Sequence, residues 1–395
     1  MKKTTLLSLF ILGCSLVYTV PCFSFTKETD AKLETTIKNI IDEYNIPGAV
    51  VGVWIPSKGE WTGAFGLADK ETKEKMKIDD HFKVDHLPIT LIMIGFFQLL
   101  DEGKVSLNDK ISQYIKNIPN GDKITLGQLI DRNSSQILPS VKGFPIPKPA
   151  TTLEELKENM KTLKTHTLQE YVDTGFEPHK EGERYVPNFM LLALVIEKVS
   201  GMSLEKYFEK NIFEPLKLQQ TSIPTDYANM PKPFAHGYTK ATFNNVTSEV
   251  DASIANPSFF WGASVSSLPD LKILAQAVGT GSLLSKDSFK RMQEWRESPQ
   301  KSKWGLGMGF DNGWLTPMLG IMPGYESFAA YLPKEKAIFV CLINADTYIE
   351  KNGQVIPAGR FISREIVRIL DLPLMDDASL PAKEYGGPTE KGKGH

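Results

Sequence analysis

Asp85 and His86 are the residues in this chain whose types and spacing most clearly bear on chemistry. They sit side by side, immediately ahead of a long apolar stretch. An imidazole beside a carboxylate acts as a base, a weak nucleophile or a metal ligand. At a helix N-terminus the dipole disfavours its charged form. Arg184 has the planar fork that binds carboxylates and phosphates, with Tyr185 next to it, and it also has Glu181, Glu183 and Asp131 as ion-pair candidates. Asp131 and Asn133 are suited to capping or local hydrogen bonds. The six histidines, His81, His86, His166, His179, His236 and His395, show no metal-ligand spacing. No metal and no cofactor is expected.

These residues must be positioned by elements that the apolar pattern outlines. Leu33, Ile37, Ile40 and Ile41 recur at helical spacing, and Asn45 with Pro47-Gly48 stops that helix. Ala49 to Ile55 reads as a buried strand, Pro56 to Gly59 as a turn, and Glu60 to Gly66 as the return strand. Leu87 to Glu102 is apolar almost all round and is predicted to be a central buried helix, with Pro88 in its first turn. From Ser106 to about Leu218 the chain reads as mainly helical, with Val141 to Pro149 as a loop; Leu191 to Val199 and Leu204 to Phe213 are its clearest helices. Leu271 to Val278 is another helix. Ser327 to Leu332 and Ala337 to Asn344 form a predicted hairpin, and Ala358 to Leu370 a closing helix. Strands at both chain ends around a helical middle point to one antiparallel sheet interrupted by a lobe.

The composition is that of a globular protein. The chain has 395 residues, 41% hydrophobic and 23% charged, with a formal net charge of −2. That balance excludes a disordered chain and argues against a nucleic-acid partner. Lys2 and Lys3 precede an apolar run from Leu6 to Val20, and Cys22-Phe23-Ser24 is an acceptable cleavage site. At about 15 residues the run is short for a spanning helix. A cleaved signal, with Ser24 the last residue removed, is expected, and with it a periplasmic or secreted location. The minor alternative is a lipoprotein through Cys14, although Leu12 fits a lipobox poorly. Either way no stable membrane-spanning anchor is expected. Removing the signal leaves Cys341 alone, so no internal disulfide forms in the mature chain, and its apolar surroundings mark it as a buried thiol.

Several segments, taken in order, resemble the serine β-lactamase and penicillin-binding-protein-like hydrolases of the class C-like esterase and D-Ala-D-Ala carboxypeptidase type. Ile46-Pro47-Gly48-Ala49 with Gly63 to Asp69 is similar to that family's first hairpin. Phe82 to Asp109 resembles its nucleophile helix, and Ile124 to Ile137 its I-T-I-x-x-L-L-x-H-T-S-G-L stretch. Leu191 to Leu216, Trp261 to Ala277, Trp304 to Gly307 and Pro323-Gly324-Tyr325 are further likenesses. The resemblance implies an α/β (α+β) fold, an antiparallel sheet flanked by helices with an inserted all-α lobe. The resemblance covers about Leu33 to Leu370; the domain is expected at 27–380, with an α/β lobe at about 27–105 and 255–372 and a helical lobe at about 106–254, between a signal at 1–24 and a polar, Gly-rich tail at 381–395 expected to be disordered.

The family's chemistry depends on three motifs, and each is substituted here. F-R-I-G-S-V-T-K aligns without gaps on Phe82 to Ile89, which puts His86 at the serine and Ile89 at the lysine. An isoleucine neither accepts nor relays a proton. Y-x-N falls on Arg184 and Val186; Tyr185 and Asn188 lie nearby but cannot restore both groups at the right spacing. The K-T-G or H-x-G position falls on Met318-Leu319-Gly320, where Gly320 keeps the close backbone approach and Met318 carries no charge. The formal Ser-x-x-Lys matches at Ser24, Ser203 and Ser298 are at chance level, and Ser203 reads as a helix cap. His236, in His236-Gly237-Tyr238, is read as structural.

The expected function is therefore an exported pseudoenzyme of this family. It would bind a small molecule, a peptidoglycan fragment or a protein in the old cleft, near Asp85, His86, Asp131, Arg184 and Tyr185. His86 there either only fills the pocket or acts. The alternatives are a divergent hydrolase of an ester, amide or cell-wall peptide working through His86, and a structural, self-assembling protein. The oligomeric state stays open.

Overall fold

The computed structural model describes residues 24–118, 120–130, 140–141, 152, 154–155, 158, 176–177, 186–224, 230–243, 246–252, 264–297, 303–351, 354–375 and 380–381. Helix α1 (Lys27–Glu43) is followed by the hairpin β1 (Gly48–Ile55) and β2 (Gly59–Gly66). The short strand β3 (Phe82–Val84) leads into α2 (Leu87–Asp101), and α3 (Leu126–Ile130), α4 (Val186–Ser200) and α5 (Leu204–Phe208) follow. A hairpin of β4 (Tyr238–Phe243) and β5 (Val246–Asp251) precedes β6 (Ser264–Ser266), α6 (Leu268–Thr280) and α7 (Lys286–Met292). The chain ends with β7 (Arg296–Glu297), β8 (Lys303–Trp304), β9 (Met308–Asp311), β10 (Trp314–Pro317), β11 (Ile321–Met322), β12 (Tyr325–Leu332), β13 (Ala337–Ile343) and α8 (Ala358–Ile369).

The main sheet runs β2–β1–β13–β12–β10–β9–β8–β7, with β11 also beside β12. All its pairings are antiparallel. The first hairpin joins the last strands directly, with Val51 opposite Cys341 and Cys341 opposite Phe328. This is the antiparallel sheet expected from the two chain ends. Period-two alternation sorts its side chains between two cores. Val51, Val53, Phe339, Cys341 and Ile343 face α1 and α8, whereas Val50, Trp54, Val340 and Leu342 face the side where α2, α4 and α6 pack.

Helix α2 is buried on every face, as its uniform apolarity requires. Two expectations change. Leu204 to Phe213 is a short α-helix that continues as a π turn over Glu209–Phe213. The stretch expected to be all helical also carries strands: β4 pairs β5, and Ser140–Val141 pairs Phe176–Glu177. In β5, Val246, Thr247 and Val250 supply the β-branched residues that favour pairing. The expected loop at Val141 to Pro149 lies outside the described residues except for Val141. Cys341 is fully buried, and burial pushes its thiol well above its ordinary range.

A histidine–carboxylate pair at the mouth of a buried helix

The site begins with three residues of strand. Phe82, Lys83 and Val84 pair with Ser266, Val265 and Ser264, and the Ser264 hydroxyl donates to the Val84 carbonyl at 2.7 Å. The chain then turns through Asp85 and His86 into α2. His86 is the N-cap residue, but it lies in the left-handed region at φ 57°, ψ −3°, and its side chain caps nothing. The usual N-cap is extended and accepts from the first turn. A left-handed backbone costs a non-glycine residue about 1–2 kcal/mol, and such strain concentrates at functional sites. The turn is held because the Ile89 amide donates to the His86 carbonyl at 3.0 Å and Pro88 fits the first helical turn.

The turn aims the two side chains at each other. Nδ1 of His86 forms an ion-pair contact with Oδ2 of Asp85. The Asp85 side chain is 1% exposed and that of His86 27%. Neither carboxylate oxygen of Asp85 accepts a hydrogen bond from the described residues. Leaving a carboxylate buried without donors is costly, so the imidazole is its main compensation. Gly320 closes over the pair. A Cβ there would lie 3.1 Å from Asp85 Oδ2 and 3.4 Å from His86 Nδ1. A side chain at Gly320 would crowd the pair.

Thr90 ties the helix to the segment that carries Gly320. Its hydroxyl donates to the Gly307 carbonyl at 2.7 Å and accepts from the Met318 amide at 2.8 Å. Beyond Gly320, the Ser327 amide donates to the Gly320 carbonyl at 2.9 Å, and Ile321 stands opposite Glu326. In an antiparallel ladder that register makes Ile321–Glu326 a non-hydrogen-bonded pair, so the Ile321 N–H points away from β12.

Two buried charges flank this floor. Lys83 is fully buried; burial pushes its amine down to about 7, against the opposing pull of the Asp251 carboxylate. Glu326 is buried on β12, and burial raises its carboxyl to about 7, opposed by the amides that open α8 and by Arg360. Its Oε1 accepts from the Gly359 amide at 2.9 Å.

The structure thus brings His86, Asp85 and Gly320 together, with Met318 linked through Thr90. Ile89 is buried in the α2 core at 5% exposure. Val186 opens α4. Asp131, Asn133, Arg184, Tyr185 and Ser298 lie outside the described residues. Asn188 is buried, its amide donating to the Leu129 carbonyl at 3.2 Å. Ser203 caps α5, as expected of it. His236 holds the Asp251 carboxylate at 2.8 Å and stacks on Phe234. Among the described residues no three His, Cys, Asp or Glu side chains cluster as metal ligands. Sequence reasoning missed Thr90, Lys83 and the Ile321 amide. The signal for the first two was one polar residue within an apolar run; the third depends on register alone.

A family model described as Beta-lactamase matches residues 33–360. The chain is 26% identical over 340 residues to the putative penicillin-binding protein PbpX of Bacillus subtilis (strain 168), covering 83% of this chain and 79% of that protein. Its fold is similar to the D-stereospecific amidohydrolase from Streptomyces sp., with TM-score 0.66 and 25% identity, covering 80% and 94% of the two chains. It is also similar to D-amino acid amidase from Ochrobactrum anthropi SV3, with TM-score 0.69 and 19% identity over 86% and 99%. From the alternating sheet to the helix that begins at His86, this chain belongs to the beta-lactamase family of serine-hydrolase-like, penicillin-binding-protein-like proteins.

Proposed function

We propose that this protein is a non-acylating member of its family: its cleft binds a ligand, and no serine acyl-enzyme forms there. One observation carries the reading. The two positions that the sequence resemblance aligns with the family's nucleophile and base hold His86, engaged with a buried carboxylate, and Ile89, packed in the core. Acyl transfer through serine needs a hydroxyl and a base within reach of each other. The nucleophile and base positions at this helix mouth carry neither a serine nor a lysine, while the sheet and helices around it are kept.

Export belongs to the same reading. Lys2, Lys3 and the apolar run form a signal removed near Ser24, and no helix among the described residues is long and apolar enough to cross a membrane. Phe25, directly after the proposed cleavage point at Ser24, is packed in the core beside α1. The likeness to a putative penicillin-binding protein and to a putative D-alanyl-D-alanine carboxypeptidase makes a peptidoglycan fragment the first ligand to try.

The test is incubation of the purified mature protein with a fluorescent penicillin, followed by denaturing electrophoresis. No retained label is expected. A stable fluorescent band would overturn the reading.

A further inference from the structure

We propose that His86, positioned by Asp85, is a general base that hydrolyses carboxylic esters in this cleft by direct attack of water, without a covalent intermediate on the protein. This rests on the reading that the cleft still receives a ligand.

Four observations converge on it. First, Nδ1 of His86 faces Asp85, so proton transfer falls to Nε2, at the other end of a ring whose side chain is 27% exposed. A carboxylate behind an imidazole fixes its tautomer and orientation and stabilises the imidazolium that forms. Asp85 is suited to that role because it is held almost entirely away from water. Second, His86 occupies a left-handed backbone position at the mouth of a fifteen-residue helix, a conformation that needs support from its surroundings. Third, Gly320 lies against the pair where any other residue would crowd it. Fourth, the Ile321 N–H next to Gly320 points away from its own sheet neighbour, so a donor for developing negative charge lies one residue from the glycine.

Water attacks the ester carbonyl carbon and gives a proton to His86 Nε2. The carbonyl electrons move onto oxygen, and the tetrahedral oxyanion is stabilised by backbone N–H groups. On collapse the C–O bond to the alcohol breaks, and the leaving alkoxide takes the proton from Nε2. One ester and one water give one acid and one alcohol, with His86 restored. Esters are the substrate class because an alkoxide leaves more readily than the amide anion that an unprotonated amide nitrogen would have to become. His86 is the catalytic residue and Asp85 a positioning residue.

The experiment is steady-state hydrolysis of p-nitrophenyl butyrate by the full mature protein. Saturable turnover above that of free imidazole at equal concentration is expected. His86→Ala lowers it by about 10²–10⁴-fold, and added imidazole restores part of the loss, which separates missing chemistry from misfolding. Asp85→Asn lowers kcat with little change in KM. His236→Ala, which breaks the exposed His236–Asp251 pair, leaves the rate unchanged. Acid-quenched samples show no acyl adduct by intact mass. Wild-type turnover no faster than free imidazole, full activity in His86→Ala, or an acyl adduct on the chain overturns the inference. If ligand binding persists without turnover, only this inference fails. A stable penicillin adduct removes the cleft reading beneath it.

Discussion

Among the described residues two histidine–aspartate pairs form, and their difference separates a site from a surface contact. His236 and Asp251 have side chains 31% and 40% exposed, joined by an ordinary 2.8 Å hydrogen bond. The His236 ring also stacks on Phe234 at 4.8 Å between centroids. Water shares the compensation of both charges there, and such pairs contribute little. Asp85 is 1% exposed and accepts no hydrogen bond from the described residues, so His86 bears nearly all of its compensation. The same two residue types are therefore an accessory in one place and a constraint in the other. What differs is what surrounds them: a loop end in one case, and in the other a left-handed turn, a helix mouth and a bare glycine.

The comparison breaks most directly at the buried pair. His86→Ala leaves the Asp85 carboxylate uncompensated, and a loss of about 3–5 kcal/mol in urea unfolding is expected. A loss under about 1 kcal/mol would place this pair in the same class as the exposed one.

Two other buried charges, Glu326 and Lys83, sharpen it through pH. Glu326 has its carboxyl raised from 4.5 to about 7. The native state therefore holds this proton more tightly than the unfolded chain. The resulting stability is fully present below 4.5 and is lost as pH rises toward 7. Glu326→Gln should remove that slope and stabilise the protein at pH 8 by up to about 3 kcal/mol, with no gain at pH 4. Lys83 runs the other way. Its amine is lowered from 10.5 to about 7, so the unfolded chain binds the extra proton between those values and stability rises with pH across that window. Lys83→Met should flatten the rise. Thermal melts of both variants from pH 4 to 10 read the two slopes, and a slope unchanged by either substitution would count against burial as its cause.

The smallest effect belongs to the exposed pair. His236→Ala should change stability by less than about 1 kcal/mol, and by less still in high salt. A loss as large as that of His86→Ala would erase the distinction between the pairs.

Much of this was legible in the sequence because it depends on local pattern. The alternation of β1, β12 and β13, and the all-round apolarity of α2, fixed where the sheet and the central helix lie. The ungapped run from Phe82 aligned His86 and Ile89 with one family motif, counting back from Pro323-Gly324-Tyr325 aligned Gly320 with another, and the structure sets His86 and Gly320 against one another. What escaped depends on long-range register. Thr90 joins residues more than 200 positions away. The direction of the Ile321 amide follows from its pairing with Glu326. Strands β7 to β10 are short and interrupted by Gly305, Gly307 and Gly313, which leaves too little alternation to read. The hairpin of β4 and β5 lies within the stretch expected as the helical lobe at about 106–254.

The central claim is that the mouth of α2 no longer forms a serine acyl-enzyme. Time-resolved intact-protein mass spectrometry during incubation with a β-lactam tests it most directly. An unchanged mass at every time point is predicted. A stoichiometric, stable mass increase equal to the opened β-lactam would contradict it.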